Sequence, residues 1–414
     1  MKVLVIGKGG RENAICWKLK QSPLLTDLFI APGNPGTAKL GVNVAIEPSD
    51  ITALKDFALK NKIDLTVVGP EDPLVAGIVD HFQSAGLKIF GPSKVAAQLE
   101  GSKEFAKEVM LAAGVPTAEY AVFSDKDTAL KYARDKKAPL VVKADGLAAG
   151  KGVFVCMKQD ELEGAIPQAF DRFHSSKVVI EEYLNGCEAS FIVATDGKRI
   201  VPLAASHDYK RVFDNNRGAN TGGMGTVSPT PHLSKDQEEW VMQKVMRPMI
   251  DEMARRGTPF SGFLYAGLMI TDDGIKVLEF NTRLGDPETQ VILRRMDGDL
   301  LALLKAFVDG EETPKISCRS EAAVCLVLAA QGYPEAVKVG DEIKGVDKFD
   351  GDERIVVFHA GTKDQDGKLY TAGGRVLCIT ANGEDVKGAR EVVYQGVKEI
   401  TFEGMHYRRD IGGN

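Results

Sequence analysis

A carboxylate and a carboxamide stand two residues apart in "KVLEFNTRLGDPETQ", residues 276–290, where Glu279 and Asn281 alternate with Leu278 and Phe280. Side chains i and i+2 of a strand point to the same face, so the oxygens of Glu279 and Asn281 lie side by side. Hard cations such as Mg²⁺ prefer such ligands and take the remaining ones from water and phosphates. The pair predicts a sparse metal site completed by a nucleotide; the alternative is a solvated strand edge.

A glycine-rich stretch, "DGLAAGKG" at residues 145–152, lies between two strand-like runs. It resembles a P-loop, but only three residues separate Gly146 from Gly150, and Gly152 stands where Ser or Thr would hold magnesium. We therefore predict a hairpin flap that closes over a triphosphate with its amides and Lys151. A plain hairpin turn is the alternative.

The first strand-like run ends in a glycine turn, "GKGGRE" at residues 7–12, which offers backbone N–H groups to a phosphate. Glu12 replaces the third glycine of the dinucleotide fingerprint, and the next strand, "LFIAPGN", lacks the acid that would hold a ribose. A phosphate or phosphosugar site is favoured over NAD. The loops "APGNPG" and "GPEDP", residues 31–36 and 69–73, end neighbouring strands, and a purely structural turn is the alternative for each.

Two further stretches carry charge. "SHDYKRVFDNNRGANTGGMG", residues 206–225, gathers Lys210, Arg211 and Arg217 before a glycine turn, which suits a polyanion or a developing negative charge. In "VVIEEYLNGCE", residues 178–188, a strand ends in acids. Taken alone, a mobile loop and a solvated strand end are the alternatives.

Bulk composition excludes several classes of protein. The 414 residues carry 52 basic and 58 acidic side chains, a net charge of -6, which gives no general attraction to nucleic acid or to an anionic membrane. Six dispersed cysteines are typical of reduced thiols. The first apolar run is too short for a signal peptide, and no stretch reaches the length of a membrane span. We expect a cytoplasmic protein.

The chain length predicts several domains. Residues 1–100 alternate strands and helices, which predicts a parallel α/β sheet. Residues 101–315 form an α+β region with a flap subdomain at about 115–190, entered through a helix predicted over residues 95–113. Residues 316–414 form a small strand-rich domain in which we identify no chemical motif.

Taken in order, the motifs closely resemble the ATP-grasp superfamily and, within it, the phosphoribosylamine-glycine ligase family of purine biosynthesis. The resemblance runs the length of the chain and includes "GGRENA" and "GPEDPLVAGIVD". It implies an ATP-grasp fold with an N-terminal parallel-sheet domain for substrate, two subdomains that hold ATP between them, and a strand-rich C-terminal domain. The residues that carry it are Lys103, Lys143, "DGLAAGKG", "EEYL" with Glu188, "RGANTGGMG" and "LEFNTRLGDPETQ".

The resemblance also implies site residues. The positions expected to hold ATP are Lys103 and Lys143 at the phosphates, the flap with Gly146, Gly150, Lys151 and Gly152, the adenine contacts Glu181 and Leu184, and Glu188 at the ribose. Glu279 and Asn281 would bind Mg²⁺ or, in its place, Mn²⁺. Lys143, Lys210 and Arg283 are the expected catalytic residues, which would neutralise the negative charge of the reacting phosphates. The positions expected at the phosphoribosylamine and glycine are Gly9, Gly10, Arg11, Glu12, Gly33, Asn34, Gly36, Glu71, Asp72, Arg283 and Asp286.

Two departures from the family pattern stand out. Many ATP-grasp enzymes carry a further magnesium-binding acid on the preceding strand, but "GFLYAGLMI" has none, which leaves the number of metal ions open. Leu284 replaces the usual aromatic after Arg283, which we interpret as a packing exchange.

The implied reaction joins glycine to 5-phosphoribosylamine through glycyl phosphate, with ATP converted to ADP and phosphate, in a monomer that binds only small molecules. Three alternatives remain: an ATP-grasp enzyme with another acceptor, such as a bicarbonate-using carboxylase or another purine-pathway ligase; an NAD-dependent oxidoreductase, disfavoured by Glu12; and a nucleotide-binding regulator without turnover.

Overall fold

The computed structural model describes residues 1–147, 152–172 and 175–413. Gly150 and Lys151 of the predicted flap lie outside these ranges. Among the described helices, none combines the length and the apolar character needed to cross a bilayer.

The N-terminal region is a parallel sheet of five strands in the order β3-β2-β1-β4-β5, as the alternation of strands and helices predicted. Val3 and Val5 of its first strand belong to one buried core, and Leu4 and Ile6 belong to another, so the central strand is covered on both faces. The elements are β1 (Lys2–Gly7), α1 (Gly10–Leu19), β2 (Asp27–Pro32), α2 (Pro35–Ala38), β3 (Val42–Asn43), α3 (Ile51–Asn61), β4 (Leu65–Val68), α4 (Glu71–Ala76), α5 (Ile78–Ser84) and β5 (Ile89–Phe90).

The helix predicted over residues 95–113 is two helices, α6 (Gln98–Gly101) and α7 (Lys103–Ala112). Ser102 separates them because its backbone is extended, with φ -138° and ψ 119°, and its side chain accepts a hydrogen bond from the backbone N–H of Phe105. The prediction of one continuous helix was wrong, because the periodicity of apolar residues gives no sign that a single serine ends one helix and caps the next.

The flap subdomain follows as an antiparallel sheet in the order β6-β9-β7-β8, with two helices packed on it. The predicted strand–loop–strand unit is present, since β7 and β8 pair with Lys143 opposite Val153. The elements are β6 (Tyr120–Phe123), α8 (Lys126–Lys136), β7 (Leu140–Ala144), β8 (Val153–Cys156), α9 (Gln159–Asp171) and β9 (Val178–Glu182).

A second antiparallel sheet, ordered β11-β10-β16-β17, follows the flap subdomain in the ATP-grasp region. A π-helical turn, Met242–Met246, separates the α-helices Lys235–Val241 and Arg247–Arg255, and the second of these has a proline in its first turn. The elements are β10 (Cys187–Thr195), β11 (Ile200–Pro202), β12 (His207–Asp208), β13 (Arg211–Phe213), β14 (Arg217–Asn220), β15 (Gly225–Ser228), α10 (Lys235–Val241), α11 (Arg247–Arg255), β16 (Gly262–Thr271), β17 (Gly274–Asn281), α12 (Glu288–Arg295), β18 (Met296–Asp297) and α13 (Leu300–Asp309).

The C-terminal strands complete a third large sheet whose order is β12-β15-β20-β25-β22. Its strand β12 lies within the basic stretch at residues 206–225, and β15 begins at the last residue of that stretch. The stretch is therefore attached to the C-terminal core as well as to the ATP-grasp region. The elements are β19 (Ser317–Cys318), β20 (Ala322–Ala329), β21 (Glu342–Ile343), a 3-10 turn at Val346–Phe349, β22 (Ile355–His359), β23 (Thr362–Gln365), β24 (Lys368–Thr371), β25 (Arg375–Gly383), α14 (Val386–Gly396) and a 3-10 turn at Val397–Glu399.

Candidate active site

The break before α7 ties Lys103 to the base of the flap. The Asp145 carboxylate accepts a hydrogen bond from the backbone N–H of Lys103 at 2.5 Å. In return, Lys103 Nζ donates to the carbonyl of Gly146 at 2.9 Å. The helix N-terminus, its first lysine and the first residues of the predicted flap are therefore one hydrogen-bonded unit. At the far side of that loop, the carbonyl of Gly152 accepts from the backbone N–H of Ala144 at 2.8 Å.

Glu181 lies between two lysines inside the flap sheet. Its Oε1 is 2.9 Å from Lys143 Nζ and its Oε2 is 3.0 Å from Lys107 Nζ. All three side chains are buried. Oε1 is at ion-pair distance from Lys143 but makes no hydrogen bond among the described residues. Since the carboxylate faces the two lysines, we expect the backbone of Glu181 to meet an adenine; the nearby Leu184 is also buried.

Glu279, Phe280 and Asn281 alternate on β17 as the sequence predicted, but the pairing register shifts at Leu278, so the predicted alternation does not extend to that residue. Burial would raise the pKa of Glu279, but the charges of Lys210, Lys143 and Lys103 outweigh burial and hold it below its ordinary value. The carboxylate is therefore ionised at neutral pH. Asn281 Oδ1 accepts from Arg283 at 3.3 Å.

The donor set at this point fits a nucleotide-bound metal better than a metal held by protein alone. Within the described ranges, no group of three or more His, Cys, Asp and Glu side chains is placed to hold an ion. Opposite Glu279, the paired strand carries Gly267. One carboxylate and one amide oxygen are the sparse set that Mg²⁺ supplements with phosphate and water oxygens.

Glu188 and Lys210 form an ion pair of 2.7 Å beside Glu279. Burial would lower the pKa of Lys210, but Glu188 and other anionic groups raise it well above its ordinary value, so this lysine stays charged. The same attraction from Lys210 lowers the pKa of Glu188. His207 contacts the carbonyl of Glu188 through Nδ1 at 2.8 Å and fixes the strand that carries it.

Arg283 joins the ATP-grasp region to the N-terminal domain. Its guanidinium lies 3.2 Å from Glu71 and 2.7 Å from Glu100. Burial would raise the pKa of Glu71, but Arg283 and Arg11 lower it to about 2. The neighbouring Asp72 is exposed as a residue, but partial loss of water around its carboxyl and the charge of Glu71 raise its pKa.

The N-terminal glycine loops are fixed by side chains that the sequence assigned to substrate. Glu12 accepts a hydrogen bond from the backbone N–H of Gly9 at 2.6 Å and pairs with Arg11 at 2.6 Å. Asn34 is buried, accepts from the backbone of Gly36 at 2.8 Å and donates to the carbonyl of Lys8 at 2.9 Å. The polar atoms of Glu12 and Asn34 therefore shape the loops from within.

Two of the loop positions require glycine, one for its backbone conformation and one for the close approach of a neighbour. Gly33 has a φ of 73°, in the left-handed region that side chains disfavour. A β-carbon on Gly36 would lie 2.3 Å from Asn13 Oδ1. A larger residue at either position would displace the loop.

Asp286 brings the end of the "NTRLGDPE" motif to the first glycine loop. Built β-carbons on Gly9 and Gly10 would lie 3.5 Å and 3.4 Å from its carboxylate oxygens. Gln290 donates to Asp286 at 2.7 Å, and Arg375 of β25 pairs with it at 3.3 Å. Sequence reasoning missed Arg375, because "AGGRVL" carries no signal beyond a glycine pair.

A group of buried acids was also missed. Asp208 of β12 has an Oδ1 atom without a hydrogen-bond partner, and burial together with the charge of Glu288 raises its pKa well above the ordinary value. Glu288, at the start of α12, accepts from Ser190 at 2.5 Å, and burial raises its pKa as well. Ser190 Oγ is in turn 2.7 Å from the hydroxyl of Tyr265. We call Asp208, Glu288, Ser190 and Tyr265 the acidic pocket.

Comparison with known proteins decides the family. Three domain models of phosphoribosylglycinamide synthetase match in order: the N domain at residues 1–100, the ATP-grasp (A) domain at 101–289, and the C domain at 323–414. The chain belongs to the phosphoribosylglycinamide synthetase family.

Full-length relatives agree with membership in the phosphoribosylglycinamide synthetase family. The chain is 50% identical over 421 residues to the phosphoribosylamine–glycine ligase of Pasteurella multocida, covering 100% of this chain and 97% of that protein. It is 50% identical to the enzyme of the same name from Escherichia coli O157:H7, covering 100% and 98%.

Solved structures agree as well. The crystal structure of phosphoribosylamine–glycine ligase from Thermotoga maritima matches with a TM-score of 0.86 and 34% identity, over 99% of this chain and 100% of that one. A biotin carboxylase from Campylobacter jejuni matches with a TM-score of 0.75 at 16% identity, which shows a shared fold only. The predicted resemblance, ATP-grasp fold and ligase class are therefore confirmed for this chain, and enzymes of the ATP-grasp class use ATP with a divalent metal.

Proposed function

We propose that this chain joins glycine to 5-phosphoribosylamine and converts ATP to ADP and phosphate, giving glycinamide ribonucleotide. The observation that carries the proposal is that the charges of three lysines, Lys210, Lys143 and Lys103, act together on the carboxylate of Glu279 and lower its pKa. Three cations and one metal-ligating carboxylate suit a metal-bound triphosphate. The 50% identity to ligases of this name supports the choice of substrates.

The chemistry must begin by activating glycine, because an amine cannot displace oxide from a carboxylate. A glycine oxygen attacks the γ-phosphorus, the bond to the ADP oxygen breaks, and glycyl phosphate forms. The amine of phosphoribosylamine then attacks the glycyl carbonyl and inorganic phosphate leaves. Positioning and charge neutralisation supply the catalysis, which fits a site built from Lys103, Lys143, Lys210 and Arg283.

Glu279 and Asn281 would hold Mg²⁺, or Mn²⁺ in its place, and the bound ion would neutralise phosphate charge. The chain's own contribution is to keep Glu279 ionised with the surrounding lysines. Closure of the flap over the site would exclude water from the acyl phosphate.

ATP would lie between the two antiparallel sheets of the ATP-grasp region. The backbone near Glu181 and the buried side chain of Leu184 would meet the adenine. Glu188 would accept from the ribose hydroxyls, since its contact with Lys210 uses Oε2 and leaves Oε1 for another donor.

Glycine would bind with its ammonium in the acidic pocket. The unpartnered oxygen of Asp208 and the carboxyl of Glu288 offer two acid groups to one small cation, whose charge would favour their ionised forms. Lys210 reaches the same region, since its charge acts on both acids and on Glu279. The glycine carboxylate would then face the phosphates while its ammonium is held by Asp208 and Glu288.

Phosphoribosylamine would bind at the N-terminal loops. The first turn of α1, beginning at Gly10, presents backbone N–H groups to the 5-phosphate. Asp286 lies against Gly9 and Gly10 and would accept from the ribose hydroxyls. Arg11, Gly33, Gly36, Glu71 and Asp72 border the same loops.

The deciding experiment is coupled ADP release with Mg-ATP, glycine and freshly generated phosphoribosylamine, each omitted in turn, with the product mass confirmed. ADP release that needs both substrates and yields glycinamide ribonucleotide supports the proposal. Release stimulated by bicarbonate or by another acid would keep the ATP-grasp chemistry and overturn the substrate. No release, in an assay where a known ligase is active, would overturn the activity.

We also propose a monomer in the cytoplasm. The six cysteines are all free thiols in the structure, which supports a reducing compartment. Sedimentation analysis over a range of protein concentrations tests the oligomeric state, and a mass that rises with concentration would overturn it.

A further inference from the structure

Lys107 is a buried cation that no step of the proposed chemistry uses. It lies one helical turn after Lys103 on α7, and only 2% of its side chain is exposed. Its Nζ donates to Thr117 Oγ1 at 2.7 Å and lies 5.4 Å from the centre of the Tyr120 ring. An ammonium enclosed by protein partners acts on a nucleotide only through its neighbours.

The neighbour that matters is Glu181, which Lys107 shares with Lys143. Each lysine contacts a different oxygen of the carboxylate, at 3.0 Å and 2.9 Å. Lys143 has one further partner, the carbonyl of Leu278 at 3.1 Å. Two buried ammonium groups and one carboxylate leave a net charge of one positive unit among these three side chains.

Both lysines are also tied to the strand that carries the predicted metal ligand. Thr117 Oγ1, which accepts from Lys107, donates to the carbonyl of Val277 at 2.6 Å. Lys143 donates to Leu278, the next residue along. Glu279 follows directly. The triad of Lys107, Glu181 and Lys143 is therefore attached both to the flap sheet and to β17.

Glu181 neutralises the charge of Lys143 less strongly because it also pairs with Lys107. In a buried site of low dielectric, a lysine that alone faces a glutamate forms a tight pair of zero net charge. A second lysine on the other oxygen weakens that pair and restores a positive field. The charge of Lys107 therefore reaches the phosphate site through Glu181 and Lys143.

We propose that Lys107 is a positioning residue for ATP, which holds one oxygen of Glu181 and thereby keeps Lys143 available to the phosphates of the nucleotide. The inference rests on the proposed ATP site, so its test measures nucleotide binding directly. Failure of the wild-type chain to bind Mg-ATP would overturn that ATP site, whereas normal wild-type binding with unaffected variants would overturn only the role of Lys107.

The experiment compares the Kd for Mg-ATP, by calorimetry, in the wild type, Lys107→Met and the double variant Lys107→Met/Glu181→Gln. We expect the single substitution to weaken binding about tenfold, the usual size of a coupling within one charge network. The double variant should return to within about threefold of the wild type, because removing both charges restores the net charge of the triad. The KM for glycine should change less than about twofold in Lys107→Met, since the acidic pocket is untouched.

Two controls separate this role from a structural one. Lys131→Met removes an exposed lysine of α8 and should bind Mg-ATP as the wild type does. If Lys107→Met does not fold, Lys107→Gln retains a hydrogen-bonding side chain without the charge and is expected to show the same loss. Binding equal to wild type in the folded Lys107 variant, or a double variant as weak as the single one, would overturn the proposal.

Discussion

The guanidinium of Arg375 lies 3.3 Å from the carboxylate of Asp286, a residue 89 positions earlier in the chain. The same guanidinium donates to the backbone carbonyls of Asp286 and Gly222. Arg375 thus joins the C-terminal sheet to the glycine turn and to the residue that faces the N-terminal loop. Burial would raise the pKa of Asp286, but Arg375 and Arg11 lower it, so the carboxylate is ionised.

Replacement of Arg375 by Met should loosen Asp286 and weaken phosphoribosylamine binding more than ATP binding. We expect the KM for phosphoribosylamine to rise about tenfold or more, the usual cost of removing one partner of a buried charge pair. Steady-state kinetics with each substrate varied in turn measures this. Arg354→Met, which removes an exposed arginine of the same domain, is the matched control. An equal rise in the KM for phosphoribosylamine and the KM for ATP would contradict a role specific to the N-terminal loop.

Asp208→Asn should weaken glycine binding while stabilising the fold. The neutral amide loses the attraction for the ammonium, so we expect the KM for glycine to rise about tenfold to a hundredfold. Because the pKa of Asp208 is raised in the folded protein, its ionisation costs stability as pH rises through that pKa, and the uncharged side chain avoids this cost.

Kinetics and thermal unfolding at pH 7.5 test both parts of that prediction, with the exposed Asp347→Asn as control. A lower midpoint of unfolding in Asp208→Asn, together with unchanged glycine kinetics, would refute the assignment of the acidic pocket.

Glycine binding should release protons. The raised pKa values of Asp208 and Glu288 favour protonation in the empty pocket, and an arriving ammonium favours their ionised forms. Calorimetry of glycine binding in buffers with different ionisation enthalpies should therefore show net proton release that Asp208→Asn reduces. An observed enthalpy that does not depend on the buffer would argue against this pocket.

Glu279→Gln should remove most activity at ordinary magnesium concentrations. The neutral amide is a poorer ligand for a divalent cation and no longer balances the three lysines, so we expect kcat/KM for Mg-ATP to fall about a hundredfold. A magnesium titration should show a shift to higher concentration for half-maximal activity. Glu403→Gln, an exposed position, serves as control. Near-normal turnover in Glu279→Gln would refute the metal role.

Gly9→Asp should raise the KM for phosphoribosylamine and spare that for ATP. The first atom of the new side chain would already lie 2.8 Å from Glu12 and 3.5 Å from Asp286, so a third carboxylate enters the loop expected to hold a phosphate. We expect an increase of about tenfold or more. Gly164→Asp on α9, where an added side chain meets nothing within 4 Å, is the control. An equal rise in both KM values would contradict the assignment.

Several features of the site could be predicted from local sequence. The alternation around Glu279 and Asn281 places two oxygens on one strand face, and strand geometry alone requires this. The hairpin that carries Lys143 follows from two apolar runs flanking a glycine stretch. The parallel N-terminal sheet follows in the same way from alternating strands and helices. A local error arose where Ser102 ends one helix and caps the next, because apolar periodicity continues across the break.

What the sequence by itself determined is therefore the kind of elements and the family, because backbone geometry and turn residues act over a few positions. The residues that it assigns to phosphate and metal stay a prediction. Only the tertiary structure decided which distant charges meet: Arg375 with Asp286, and Lys107 with Glu181. It also decided that the charge of Glu288 acts on Asp208. These meetings depend on how β12 and β15 join the C-terminal strands and on how α7 packs against the flap sheet. Such pairings are long-range, and no periodicity within one segment encodes them.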